Sequence, residues 1–155
     1  MGWNALHPRG AHLSLRRPAP PNLPDSVLVN SLPEMRISAN APRQGLLNLE
    51  TEQVRRLLAL DRAILLDARN PDEYAQGHMP GAINVPYENL GEVEQILGEL
   101  PDDKWIICHC GGPPCDLGEL LGLELLMQGA AHVAVYSGGL DAWRESGGEI
   151  SRNDE

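Results

Sequence analysis

The chain of 155 residues contains no run of roughly 18 apolar residues, so no part of it is expected to cross a membrane as a helix. Its longest apolar stretches are strand-sized, such as Ala63 to Leu66. Cysteine is scarce. Cys108, Cys110 and Cys115 are too few to staple a small secreted module, and their odd number leaves at least one free thiol. A reduced, cytoplasmic compartment is the simpler expectation. Basic residues are also short, 12 against 22 acidic ones, for a formal net charge of −10. The deficit is uneven: residues 1–45 hold five arginines against Asp25 and Glu34, a net of +3, whereas residues 46–155 hold seven basic against twenty acidic residues, a net of −13. An acidic body of that size repels polyanions, which excludes nucleic acid as its partner, and it slows encounter with small anions unless local cations offset it.

Seven of the 13 prolines precede residue 45, among them Pro18, Pro20, Pro21 and Pro24, and no helical or alternating period is sustained there. Residues 1–45 therefore read as an extended Pro-rich arm or linker. No apolar signal-peptide core follows Met1-Gly2. Trp3 with Arg9, Arg16 and Arg17 also fits a juxtamembrane stretch of a membrane-anchored protein, but a solvated arm without a lipid role is the preferred reading.

From residue 46 the pattern turns to alternating short strands and helices. Thr51 to Leu60 places Val54, Leu57 and Leu58 at helical spacing, with Glu50 or Thr51 able to cap the first turn. Ala63 to Asp67 reads as a buried strand, Pro71 to Gln76 as a short helix and Ala82 to Val85 as a second strand. Pro86 to Leu97 is expected to be one helix, followed by a strand from Lys104 to Cys108, a leucine-rich helix from Leu117 to Gln128, a strand from His132 to Tyr136 and a helix from Leu140 to Ser146. Such alternation implies an α/β domain with an open parallel sheet and helices on both faces over residues 46–150, leaving 151–155 as a tail.

In open parallel sheets the functional crevice lies at the carboxyl ends of the strands. Those ends carry Asp67 and Arg69, the run Cys108-His109-Cys110, and Ser137-Gly138-Gly139. Cys110 is the strongest candidate for a reactive group. It ends a buried strand and precedes Gly111-Gly112-Pro113-Pro114-Cys115 and a helix, whose N-terminal dipole of about half a charge and unpaired N–H groups favour thiolate. Cys108, two residues earlier on the same strand face and about 6.6 Å further back, reads as buried packing. His109 points to the opposite face. Zinc ligation by Cys108, His109, Cys110 and Cys115 fits poorly, because neighbouring strand residues diverge while four ligands must converge. Arg69 and Glu73, four apart, are expected to pair, with Asp67 fixing the turn. Gly138 and Gly139 suit a tight strand-to-helix turn, and Trp143 reads as core.

Leu65-Leu66-Asp67-Ala68-Arg69-Asn70-Pro71-Asp72-Glu73-Tyr74, Gly77-His78-Met79-Pro80-Gly81-Ala82-Ile83-Asn84-Val85-Pro86 and Gly138-Gly139-Leu140-Asp141-Ala142-Trp143 resemble, in order and spacing, three landmark segments of a rhodanese-like domain. The resemblance implies a single-domain sulfurtransferase that works without a metal or cofactor. Cys110 would carry sulfane sulfur as a persulfide between a small sulfur donor and a thiol or protein acceptor. It also implies a six-residue loop from Cys110 to Cys115 whose amides cradle the persulfide, and a His78 loop brought toward the crevice.

The loop departs from the family pattern. Its last position is Cys115 where many active members have arginine or lysine, Pro113 and Pro114 lack N–H groups, and Asp116 and Glu119 place negative charge in the next helical turn. The amides of Gly111, Gly112, Cys115 and Asp116 remain as donors. A missing loop cation argues against phosphatase chemistry, which must neutralise a transferring phosphoryl group. Four residues between Cys110 and Cys115 also differ from the two-residue spacing of thioredoxin-type sites. The alternative left open is a catalytically weak module in which Cys110 and Cys115 serve redox, sulfur-relay or protein-binding roles.

Overall fold

The structure is a computed structural model that describes residues 46–152. The expectations on residues 1–45, including the juxtamembrane reading, and on residues 153–155 lie outside the described residues. Five parallel strands form one sheet: β1 (Leu47–Asn48), β2 (Ala63–Asp67), β3 (Ile83–Asn84), β4 (Trp105–His109) and β5 (Val133–Tyr136), in the order β1-β5-β4-β2-β3. The helices are α1 (Thr51–Ala59), α2 (Pro71–Gln76), α3 (Val93–Glu99), α4 (Leu117–Met127) and α5 (Gly139–Glu145). The α/β architecture with a parallel sheet is as expected. Among the described residues no helix is long and apolar enough to cross a membrane.

Local signals account for most element ends. Glu50, not Thr51, is the N-cap of α1, and its N–H donates to Gln53 Oε1 at 2.8 Å. The Thr51 hydroxyl instead lies 2.7 Å from the Tyr136 hydroxyl. Asn70 caps α2 by accepting from the Glu73 N–H at 2.9 Å, with Pro71 at the first helical position. The single helix expected from Pro86 to Leu97 is instead a 3-10 segment over Tyr87–Glu92, itself kinked at Asn89 (φ −117°, ψ 42°), that leads into α3.

Side-chain alternation divides the core into two layers. Leu65, Ile107, Ala134 and Tyr136 pack under Val54 and Leu57 of α1 and Leu140 and Trp143 of α5. On the other face Leu66, Ile106, Cys108 and Val133 pack under Val93 and Leu97 of α3 and Leu121 and Leu125 of α4. Cys108 is fully buried there, as the strand period implies, and burial pushes its thiol pKa far up. α4 is apolar nearly all round, yet only Gly118, Leu121, Gly122 and Leu125 are buried. The tail begins later than expected: Ser151 pairs with His78 through two backbone hydrogen bonds of 2.9 Å, and Ile150 packs against the first layer.

The chain runs outward from β2 to β3 on one side and from β4 to β5 on the other, so the loops leaving β2 and β4 diverge. That divergence opens the crevice beside Cys110. The packing predicts a contrast within α4. Leu125→Ala removes a side chain with no exposure and should cost about 2–5 kcal/mol, while Leu123→Ala at 39% exposure should stay within about 0.5 kcal/mol. Urea unfolding of the two variants measures both.

Candidate active site

Cys110 is the first residue past β4 and is 3% exposed. Its Sγ donates to the Cys115 carbonyl oxygen at 3.2 Å. Burial and side-chain hydrogen bonding with Cys115 push its pKa up to about 11, against the opposite pull of backbone N–H groups of Gly118 and Gly112 on the sulfur. The expectation of a thiolate-favouring site is thus reversed in the free protein. One helix-start N–H, that of Gly118, and the loop N–H of Gly112 do face the sulfur, but the thiol is out of water and a carbonyl holds its proton.

The loop is built from its carbonyls outward. The Cys110 and Gly111 carbonyls accept from the α5 amides of Leu140 and Asp141 at 3.0 and 2.7 Å. This tie brings α5 so close that a Cβ on Gly139 would lie 2.5 Å from the Cys110 oxygen and 2.8 Å from the Gly112 nitrogen, with φ at +57°. Only glycine meets both demands. The Cys115 N–H donates to the Gly112 carbonyl at 2.9 Å, closing a turn over Pro113-Pro114, which are joined by a cis peptide. The Cys115 amide is therefore spent inside the loop and is not free for a ligand, contrary to expectation.

Gly118 is the donor that sequence reasoning missed. A Cβ there would meet the His109 backbone at 2.8 Å, so glycine lets the start of α4 sit directly on the end of β4 and aim its amide at Cys110. The available signal was a glycine inside the first turn of an expected helix.

Beside the sulfur, a cleft of about 190 Å³ is lined by Cys110, Pro113, Pro114, Cys115, Asp116, Gly118, Glu119, Val135, Tyr136 and Ser137. None of these lining residues is basic. Asp116 and Glu119 are exposed at its rim. Arg144 is exposed on α5, its guanidinium 3.0 Å from where a Cβ on Gly77 would stand.

Asp67 and Arg69 stand on the neighbouring strand end, 0% and 8% exposed. Arg69 pairs with Asp67 and not with the Glu73 carboxylate. Its Nη2 donates to Asp67 Oδ2 at 2.6 Å and its Nε to Oδ1 at 3.0 Å, because two residues past the strand the side chain folds back over the turn. Glu73 gives Arg69 its carbonyl as a hydrogen-bond partner, at 3.3 Å from Nη1, while its carboxylate accepts from Asn70 at 2.6 Å and acts on Arg69 through charge alone. Burial opposes the guanidinium charge, but hydrogen bonds and the charge of Asp67 outweigh it and raise the Arg69 pKa. A Cβ on Gly111 would touch Arg69 Cδ at 3.9 Å, so the pair underlies the loop.

His78 lies away from the cleft. Its Nδ1 is 2.9 Å from the Tyr74 carbonyl, its ring stacks on Tyr74 with centroids 3.9 Å apart, and its backbone holds Ser151. His109 is fully buried on the face opposite Cys108; burial lowers its pKa, and Nδ1 sits 3.1 Å from the Cys110 carbonyl. Trp143 is 8% exposed within the core, under the Arg55 guanidinium at 4.5 Å.

Two outcomes test this geometry. Alkylation of Cys110 by iodoacetamide should accelerate about tenfold per unit from about pH 7 to 9, because the thiolate fraction keeps rising below a pKa of about 11. A plateau near neutrality in the pH–rate profile would contradict the buried-thiol account. Gly139→Ala should cost more than about 1 kcal/mol in urea unfolding, since it forces φ > 0 on alanine and drives a methyl into the loop backbone.

Comparison with known proteins agrees with this arrangement. The model of the rhodanese-like domain family matches residues 50–146. Thiosulfate sulfurtransferase 16, chloroplastic, from Arabidopsis thaliana is 36% identical over 93 residues, which cover 53% of this chain and 74% of that protein. HTH-type transcriptional regulator Rv0324 from Mycobacterium tuberculosis is 32% identical over 83 residues, covering 54% of this chain and only 35% of the regulator. Among solved structures, thiosulfate sulfurtransferase from Pseudomonas aeruginosa superimposes with a TM-score of 0.58 and 31% identity, over 69% of this chain and 20% of that one. A parallel sheet whose central strand delivers a cysteine into a loop tied to the last helix, matched by the family model over most of the described residues, makes this chain a member of the rhodanese-like domain family.

Proposed function

We propose that the domain is a sulfurtransferase in which Cys110 carries sulfane sulfur. The carrying observation is the placement of its Sγ at the head of the cleft with the Gly112 and Gly118 N–H groups directed at it. In the first step the Cys110 thiolate attacks the sulfane sulfur of a donor. The donor's S–S bond breaks, its remainder leaves with the electron pair, and Cys110 becomes a persulfide. In the second step a nucleophilic acceptor, a small thiol or a protein thiol, attacks the outer sulfur and Cys110 leaves as thiolate. The two N–H groups offset charge on sulfur in both steps. They stand in place of the fuller loop cradle that the resemblance implies, from which Pro113, Pro114 and the turn at Cys115 remove three amides.

Donor preference follows from the rim. Asp116 and Glu119 face the cleft and no lining residue is basic, so a dianion such as thiosulfate is repelled, while persulfides and polysulfides with less charge per sulfur enter more readily. Arg69 does not reverse this preference, because its charge is already matched by Asp67. The acidic body disfavours nucleic acid as acceptor.

Intact mass after incubation of reduced protein with polysulfide, with the site mapped by digestion, tests the proposal. With Cys115 replaced by serine in both chains, the Cys108→Ser protein should still gain sulfur and the Cys110→Ser protein should not. Sulfur loading that survives Cys110→Ser would overturn the assignment. Loading from polysulfide should also exceed loading from thiosulfate by about tenfold or more at low ionic strength, narrowing as salt screens the rim.

A further inference from the structure

Two thiols share one cleft although the two-step transfer uses one of them. Cys115 closes the loop that Cys110 opens, lines the same cleft, and is half-buried where Cys110 is buried. Cys110 Sγ stands 3.2 Å from the Cys115 carbonyl oxygen. A carbonyl oxygen lies about 2.4 Å from its own Cα, so the Cα of Cys115 is within about 5.6 Å of the Cys110 sulfur. That brings the Cys115 backbone beside the Cys110 sulfur, and the hydrogen bond between the two cysteine side chains puts the thiols within reach of each other. The turn held by the Cys115 N–H on the Gly112 carbonyl folds Cys115 back toward the start of the loop.

We propose that Cys115 is a resolving thiol that converts the Cys110 persulfide to sulfide. This rests on the persulfide reading above. The Cys115 thiolate attacks the inner sulfur of the Cys110 persulfide, the bond between inner and outer sulfur breaks, and the outer sulfur leaves as hydrosulfide with the electron pair. The products are a Cys110–Cys115 disulfide and one hydrogen sulfide, its two protons coming from the persulfide and the Cys115 thiol. Sulfane sulfur is thereby reduced to sulfide and the two cysteines are oxidised. An external dithiol then reduces the disulfide, attacking at the more exposed Cys115 sulfur, and two free thiols return. With both thiols present the domain is a persulfide reductase, and a bound persulfide is short-lived. The hydrogen bonding between Cys110 and Cys115 that helps hold the free thiol protonated reports the same proximity.

The test loads reduced protein with polysulfide, removes excess donor, and follows intact mass and released sulfide without added thiol. The unsubstituted chain should release about one sulfide per chain and lose two hydrogens, with Cys110 joined to Cys115 in the digest. Cys115→Ser and Cys115→Ala should keep one extra sulfur on Cys110 and release at least tenfold less sulfide. A stable extra sulfur on Cys110 of the unsubstituted chain, or sulfide release equal in the Cys115 variants, overturns the resolving role and leaves the carrier role standing. Failure of every chain to load sulfur overturns the carrier role itself.

Discussion

The amides of Leu140 and Asp141 hold the carbonyls of Cys110 and Gly111 at 3.0 and 2.7 Å, and the site depends on those two bonds. A loop that turns its carbonyls outward onto a helix start can turn its N–H groups inward, which makes an anion-tolerant hollow from backbone alone. The arrangement demands glycine at 139, where the α5 backbone runs against the loop, and at 118, where α4 rests on the end of β4. Two helices from different parts of the chain thus converge on one sulfur.

Beneath the loop, the buried pair of Asp67 and Arg69 acts as a fixed base. Three side-chain hydrogen bonds join them, and Arg69 also donates to the Gly77 carbonyl at 2.8 Å. Removing either partner of such a pair strands an uncompensated charge, a cost of about 3–5 kcal/mol. The pair links the end of β2 to the α2 segment, so the β2 side of the crevice keeps its shape independently of what occupies it.

The electrostatics of the hollow are a balance. Amides and a helix start favour charge on sulfur, whereas burial and the neighbouring thiol oppose it, and in the free protein the opposition wins.

Sequence alone determined the α/β class, the parallel sheet, the strand from Ala63 to Asp67, the helix from Pro71 to Gln76 and the place of Cys110 at the end of a central strand. These are local matters: apolar runs of strand length, a proline at a helix start and side-chain alternation act over a few residues. The three landmark segments supplied the family. Tertiary structure decided the partner of Arg69, the loss of the Cys115 amide to a turn, the amide of Gly118 and the raised pKa of Cys110. Each of those depends on distances between segments far apart in the chain, or on how much water a packed loop excludes. Residue identity constrains neither until the sheet and its helices have closed around the site.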